Sequence, residues 1–212
     1  RTVSGCMEGE MRILHTSDWH LGQTLHDVPR EHEQGRFLGW LKDTLAAERV
    51  DALVIAGDVF DSTNPPPWAQ RAYYELLADC RRRLPELDVV VVGGNHDSPG
   101  RLDAPQSLLS AVGVRVVGGL PRRPGGEIDL ERIVLPLRRR GGEVGAWIAA
   151  VPFLRPADLP AGAERGQGQL VAGVRAIYEE VLAGARRLRR PGQALLATGH
   201  CYMVGGELSP DS

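Results

Sequence analysis

The sequence predicts an α/β protein built around a mostly parallel sheet. Short apolar runs rich in valine, isoleucine and leucine lie near residues 11–17, 52–56, 88–92 and 194–198. Runs of this length and composition are typical of strands that are buried on both faces. Longer stretches with apolar residues at helical spacing separate them, and such alternation favours right-handed crossover connections.

The first half of the chain alternates strand and helix regularly. After the strand at 11–17 comes a loop, and leucines at helical spacing then indicate a helix over about 31–48. A Pro-rich stretch after strand 52–56 cannot continue a strand, so the next helix is expected to start near residue 68. The pattern then predicts helix 68–84, strand 88–92, helix 104–111 and strand 114–117.

The second half is less regular. Residues 121–142 are rich in glycine, proline and arginine and contain one weak strand pattern near 129–135. The remaining elements are expected to be strand 145–151, a loop-like segment at 156–168, helix 169–188 and strand 194–198. Since no internal repeat or clean linker interrupts the pattern, residues 11–212 are expected to form one domain.

Composition indicates an ordinary soluble globular protein. The chain has 212 residues, of which 42% are hydrophobic and 25% charged, and its net charge of −2 gives no sign of nucleic-acid binding. No apolar stretch approaches the length of a membrane span. The polar segment 1–10 has no apolar core, so we interpret it as a disordered leader rather than a signal peptide.

The cysteine pattern argues against a disulfide framework or a zinc ribbon. The chain has three cysteines, widely spaced and without a C-x-x-C pair, which fits a reducing cytoplasm. Cys201 directly follows His200, and neighbouring side chains of a strand point in opposite directions. Cys201 is therefore expected to face away from any site that contains His200.

Each of the four apolar runs ends at residues that can bind metals or carry protons. Because the carboxyl ends of parallel strands meet at one edge of the sheet, these side chains are expected to converge there. Asp18 and His20 stand two positions apart, so on an extended backbone both would project to the same side. The residues concerned are Asp18 and His20, then Asp58, then Asn95, His96 and Asp97, and finally His200.

This residue set favours a metal site over structural roles. Any one of these residues could instead cap a helix or turn, or lie satisfied in the core, but all four strand ends carry such groups. A single carboxylate such as Asp58 can bridge two metals, as in two-metal hydrolases. Mixed oxygen and nitrogen ligands suit manganese, iron or zinc.

The order D-x-H, G-D, G-N-H-D and G-H resembles the calcineurin-like metallophosphoesterase superfamily. The flanking blocks S-D-W-H-L-G-Q, A-G-D-V-F-D, P-F-L-R-P and A-T-G-H are similar to those of SbcD/Mre-type DNA repair nucleases. This resemblance runs from Met11 to the last residue. It implies a four-layered α/β/β/α fold, with two sheets packed face to face and helices outside.

The resemblance also implies roles for the site residues. Asp18 and His20 would bind the first metal, Asp58 would bridge, and Asn95 and His200 would bind the second. His96 would act as the acid beside the scissile phosphate, and Asp97 would orient it by accepting its other ring proton. The implied cofactors are two manganese ions, with magnesium, iron or zinc as alternatives.

For substrates and partners the resemblance implies DNA, an SbcC-type ATPase subunit and a homodimer. The implied reactions are 3′-to-5′ exonuclease action on duplex ends and endonuclease action on single strands and hairpins. Helices near 68–74 and 101–112 would form the dimer seam. Gln23, His26 and Arg30, in the loop after the first motif, are candidate DNA contacts.

One departure from the family pattern concerns the end of the chain. The family pattern closes with a second G-H-x-H motif, which this sequence does not contain. We therefore expect a fold that is incomplete at the C-terminus, partial metal occupancy and an inactive polypeptide. A phosphatase acting on phosphomonoesters or cyclic nucleotides, and a metal-free scaffold, remain the alternative functions.

Overall fold

The computed structural model describes residues 10–160 and 167–201. Apart from Glu10, the predicted leader lies outside the described residues, as does everything after Cys201. The described part contains nine strands and six α-helices. In chain order they are β1 (Ile13–Thr16), β2 (Thr24–Leu25), β3 (Val28–Pro29), α1 (Glu31–Ala47), β4 (Ala52–Ala56), α2 (Pro67–Arg83), β5 (Asp88–Val92), α3 (Pro99–Asp103), α4 (Gln106–Ala111), β6 (Val114–Val117), α5 (Leu130–Ile133), β7 (Val134–Arg138), β8 (Val144–Ala150), α6 (Gln167–Leu188) and β9 (Ala194–Thr198).

Two main sheets organise the molecule. The first has four parallel strands in the order β1-β4-β5-β6. The second has three strands in the order β7-β8-β9, with β7 antiparallel and β9 parallel to β8. A short hairpin of β2 and β3 stands apart from both sheets.

The central strands of the first sheet separate two hydrophobic cores. Leu53 and Ile55 pack with apolar residues of α1 and α2, whereas Val54 points into the other core with residues of the second sheet and α6. This alternation places helices, sheet, sheet and helix in succession, because consecutive strand residues face opposite ways. The predicted four-layered α/β/β/α arrangement is confirmed.

At the amino ends of the first-sheet strands, two carboxylates connect the two sheets. Asp51 accepts hydrogen bonds from the backbone N–H groups of Arg12 (2.7 Å) and Arg140 (3.1 Å). Asp88 accepts one from the N–H of Arg138, at 2.6 Å. These bonds fix the β7–β8 hairpin against the first sheet at the end opposite the strand ends described below.

The helix expected over 104–111 is α4, and a further short helix that was not expected, α3, precedes it. Pro105, which lacks an N–H for a helical hydrogen bond, stands between the two. Two other local expectations were wrong. The weak strand expected near 129–135 is the helix α5 followed by β7. The region after the first motif was expected to be a loop but contains the β2–β3 hairpin, whose turn residues His26 and Asp27 both have positive φ.

Among residues 10–160 and 167–201, no helix combines the length and apolar character needed to cross a bilayer.

Candidate metal centre

The carboxyl ends of β1, β4, β5 and β9 meet at one cavity of about 440 Å³. The predicted convergence is present, but strand ends of two sheets contribute to it rather than one edge of a single sheet, because β9 belongs to the second sheet. The lining residues include all five predicted metal ligands and His96, together with several that the sequence did not indicate. They are His15, Ser17, Asp18, His20, Ala56, Asp58, Asn95, His96, Phe153, Gly199, His200 and Cys201.

Asp58 lies between the two halves of the site. Its Oδ2 atom is 3.7 Å from His20 Nε2 and 3.3 Å from His200 Nε2. Its Oδ1 atom accepts a hydrogen bond from the backbone N–H of His96 at 2.9 Å. The residue is 3% exposed, and a buried carboxylate between two imidazoles is the geometry expected of a ligand shared by two cations.

His200 is oriented by a backbone carbonyl. Its Nδ1 lies 3.0 Å from the carbonyl oxygen of Ala56, to which it can donate a hydrogen bond. In the neutral ring the lone pair is then on Nε2, the atom that faces the cavity. Nε2 is 3.0 Å from Asn95 Oδ1, so ligand atoms from the second and the first sheet meet here.

Asp18 and His20 converge, but not through an extended backbone as expected. Both have left-handed φ values, 56° and 46°, and Asp58 shares this conformation at 49°. Backbone hydrogen bonds from Asp18 N to Gly57 O and from His20 N to Asp58 O, both 3.0 Å, hold the two loops together. Asp18 Oδ1 and His20 Nε2 are 3.9 Å apart. Left-handed residues other than glycine cost free energy and concentrate at functional sites.

Asp61 contacts both histidines of the first-sheet half. Its Oδ1 lies 3.2 Å from His20 Nδ1, without the alignment of a full hydrogen bond. Its backbone carbonyl accepts a hydrogen bond from His96 Nδ1 at 2.8 Å. That bond raises the pKa of His96 above its ordinary value, which favours a protonated imidazole. No sequence pattern indicated a role for Asp61, because its hydrogen bond to His96 comes from a main-chain atom.

Asp97 does not hold the ring of His96, so that expectation needs correction. Its buried carboxylate accepts hydrogen bonds from the backbone N–H groups of Gly94 (2.9 Å), Phe60 (3.0 Å) and Val59 (3.2 Å). Burial raises its pKa, while these three bonds act in the opposite direction. Asp97 therefore fastens the loop after β5 to the loop after β4, and the Asp61 carbonyl takes the place at His96 Nδ1.

Two glycines allow the loops to approach this closely. Gly57 has φ of 94°, and a Cβ there would lie 2.3 Å from His200 Nδ1. At Gly94 a Cβ would lie 2.1 Å from Asp58 Oδ1. Both distances are far below van der Waals contact, so neither position accommodates a side chain without displacing a ligand.

Other predicted residues occupy different places. Gln23 and Arg30 flank the β2–β3 hairpin and are joined side chain to side chain at 3.2 Å, and His26 lies at its exposed tip. None of the three lines the cavity. Cys201 does line it, contrary to expectation, because β9 ends at Thr198 and strand alternation does not extend to Cys201.

Gln34 supports the site, although the sequence analysis gave it no role. It is 7% exposed, accepts a hydrogen bond from Gly22 N (3.1 Å) and donates one to His20 O (2.7 Å). This side chain of α1 thereby holds the loop that carries Asp18 and His20. The sequence does place this polar residue at a core position of the helix, and a buried polar side chain indicates a hydrogen-bonding role.

The donor set fits divalent metal ions. Asp18, His20 and Asp58 place ligand atoms within 4.8 Å of one another, and His200 adds an imidazole nitrogen with its lone pair towards the cavity. Carboxylate and amide oxygens with imidazole nitrogens suit borderline and hard cations.

Comparisons with known proteins agree with this site. The model of the calcineurin-like phosphoesterase family matches residues 11–159. The chain belongs to this family, whose members bind divalent metals. The resemblance noted in the motifs is thereby confirmed.

The chain is also similar to curated proteins named as the SbcD component of the SbcCD nuclease. It is 48% identical to that of Rhodobacter capsulatus over 92% of this chain and 49% of the relative. For the Escherichia coli K12 protein the identity is 37%, over 94% of this chain and 48% of the relative. The Bacillus subtilis protein is 44% identical over 51% of this chain and 27% of the relative. The chain thus spans about half the length of the first two relatives.

Proposed function

We propose that the chain carries the site of a metal-dependent DNA phosphodiesterase, the SbcD-like component of a complex that processes DNA double-strand breaks. The central support is Asp58 Oδ2, placed between His20 Nε2 and His200 Nε2 at 3.7 and 3.3 Å. The relatives named as components of the SbcCD nuclease supply the preference for DNA over other phosphate esters.

In this proposal two ions, manganese in the first instance, are held by residues of both sheets. Asp18 and His20 would hold one ion, Asn95 and His200 would hold the other, and Asp58 would be shared between them. When bound, such ions supply Lewis acidity and lower the pKa of water. His96 lines the same cavity as these residues, beside the place where the scissile phosphate would lie.

His96 has the role of general acid. Because its Nδ1 is engaged by the Asp61 carbonyl, the proton available to a substrate is on Nε2. The same hydrogen bond raises the pKa of His96, which favours the protonated ring. Asp97 acts indirectly, by fixing the loop that carries Asn95 and His96.

The test is manganese-dependent cleavage of an end-labelled blunt DNA duplex. It is performed with the chain extended to the length of its relatives and, for comparison, with this chain, which is expected to be inactive. In the extended chain, stepwise shortening from the 3′ end is expected, lost in His96→Ala and retained in His32→Ala; His32 is an exposed histidine on α1. Loss of activity should be about 100-fold or more, since a general acid contributes about 10²- to 10⁴-fold.

Two other outcomes distinguish the alternatives. Hydrolysis of a phosphomonoester or cyclic nucleotide without DNA cleavage would move the protein to the phosphatase branch of the family. Calorimetry that detects no manganese binding would favour a metal-free scaffold. A single-stranded hairpin substrate tests the proposed endonuclease action in the same assay.

DNA, a second copy and an SbcC-type ATPase are the proposed partners, in a cytoplasmic setting. The exposed tip of the β2–β3 hairpin offers His26 to DNA, and the half-buried Arg30 follows the hairpin at the start of α1. Tyr74 of α2 and Leu108 of α4 are 37% and 77% exposed, which suits a dimer seam. Light scattering should report a dimer, and Leu108→Glu should shift it towards monomer.

A further inference from the structure

The segment that follows β8 crosses from the second sheet to the first. Val151 N still donates to Thr198 O of β9 at 3.1 Å, as a continuation of the second sheet. Two residues later Phe153 N donates to Gly93 O, at the end of β5, at 2.8 Å. The chain thus bridges the two sheets beside the cavity.

Arg155 is the charged group of this bridge. Its Nη2 donates to the carbonyl oxygens of Asp97 (3.0 Å) and Gly94 (3.4 Å). Those carbonyls stand immediately before and after the pair Asn95 and His96. One guanidinium therefore holds both ends of the loop that carries a proposed metal ligand and the proposed acid.

The same guanidinium is connected to the second-sheet half of the site. Its central carbon lies 5.5 Å from the centre of the Phe153 ring, within cation–π distance. Phe153 lines the cavity, and its ring centre is 6.4 Å from that of His200. The backbone N–H of Arg155 donates to Asp158 Oδ2 at 2.8 Å, which fixes the main chain beneath the side chain.

Stability alone does not explain this arrangement. Arg155 Nη1 is buried and has no hydrogen-bond partner among the described residues. An unsatisfied buried donor costs about 1–3 kcal/mol. The side chain nevertheless contacts both the loop that carries Asn95 and the ring of Phe153, which lies next to His200. Asn95 Oδ1 and His200 Nε2 are 3.0 Å apart.

We propose that Arg155 is a positioning residue that sets the spacing between Asn95 of the first sheet and His200 of the second, and so the affinity of the metal site that they share. The inference rests on the proposed function and deepens it. The other site, formed by Asp18 and His20 on the first sheet, should depend less on Arg155, whose side chain contacts Gly94, Asp97 and Phe153.

Manganese titration calorimetry of this chain tests the proposal. In Arg155→Ala we expect one binding event to weaken about 10- to 100-fold, the usual effect of losing a group that orients ligands, and the other to remain. Asp18→Asn removes a ligand of the first site, so the binding event that remains in this variant belongs to the site of Asn95 and His200. Adding Arg155→Ala to Asp18→Asn should weaken that remaining event. Arg155→Lys keeps the charge but not the planar fork and should weaken binding less.

Arg122→Ala is the matched control, because Arg122 also donates to a carbonyl of the same turn, that of Asp158, at 2.6 Å. Unchanged affinity in Arg155→Ala, or equal weakening of both events with a lowered melting temperature, would overturn the positioning role. If Arg155→Ala does not fold, the same criteria apply to Arg155→Lys. If the wild type cleaves DNA with manganese and Arg155→Ala binds manganese with unchanged affinity, only this inference fails. If the wild type binds no manganese, the proposed function fails as well.

Discussion

Gly94 shows how one missing side chain determines the position of a ligand. A Cβ at this position would lie 2.1 Å from Asp58 Oδ1 and 2.3 Å from Asp58 N. Gly94→Ala should displace the proposed bridging carboxylate, weaken manganese binding at least about 10-fold and destabilise the fold by about 1–3 kcal/mol. Titration calorimetry and urea unfolding measure the two effects.

Gly39→Ala is the control, since a Cβ at Gly39 in α1 meets no atom within 4 Å. It should stabilise the chain by about 0.5–1 kcal/mol, because alanine favours helix, and leave metal affinity unchanged. Equal metal affinity in both glycine variants would contradict the steric argument.

Asp97→Asn tests a second single-residue effect. The carboxylate accepts three backbone N–H groups, whereas an amide offers one oxygen and places an NH₂ group against the remaining donors. We expect a loss of about 1–3 kcal/mol in the free energy of unfolding together with weaker metal binding. Full stability in urea would show that the loops after β4 and β5 do not depend on this carboxylate.

The convergence of the proposed metal-binding side chains could be predicted from the sequence, but the groups that orient them could not. Asp18, Asp58 and His200 follow apolar runs, and topology brings such strand ends together. Asp61 and Arg155 act through main-chain carbonyls, those of Asp61 itself and of Gly94 and Asp97, and a carbonyl has no residue-type signal. The expected contact of Asp97 with the ring of His96 followed the family pattern, whereas burial of the carboxylate directs it to backbone donors.

At the scale of elements, Asp51 joins three segments away from the cavity. Asp51→Ala would leave the N–H groups of Arg12 and Arg140 without their acceptor and should cost about 1–3 kcal/mol of stability. Metal affinity should not change, because Asp51 precedes β4 and the ligands follow it. A fall in manganese affinity would indicate that the far end of the sheets also sets the site.

Asp103 provides a pH-dependent test of the packing of α3 on β6. Its Oδ1 accepts a hydrogen bond from Gly118 N at 2.8 Å, and burial raises its pKa. A carboxyl whose pKa is higher in the folded state favours folding at acid pH, and this contribution is lost as pH rises through the folded pKa. Asp103→Asn should therefore be more stable than wild type at neutral pH. The difference in the free energy of unfolding should shrink as the pH falls below the folded pKa. Urea unfolding at neutral and acid pH measures this difference. A difference that does not vary with pH would contradict the assignment.

Element boundaries were predictable where burial was complete. The limits of β4, β5 and β6 match the apolar runs, since strands covered on both faces are continuously hydrophobic. The β2–β3 hairpin could not be predicted in this way, because Leu25 and Val28 are exposed and its turn uses His26 and Asp27 rather than glycine or asparagine.

For the whole molecule, the sharing of β4 and β5 between two cores determines which parts can open separately. Leu53 and Val54 are adjacent in the chain yet belong to different cores, so neither core can be lost without disturbing the strand that forms its wall. Amide protons of β4 and β5 should then exchange with deuterium only through global opening, while those of the β2–β3 hairpin exchange through local fraying. A bound metal that joins Asn95 to His200 would add a further tie between the layers, and exchange throughout the second sheet should slow when manganese is present.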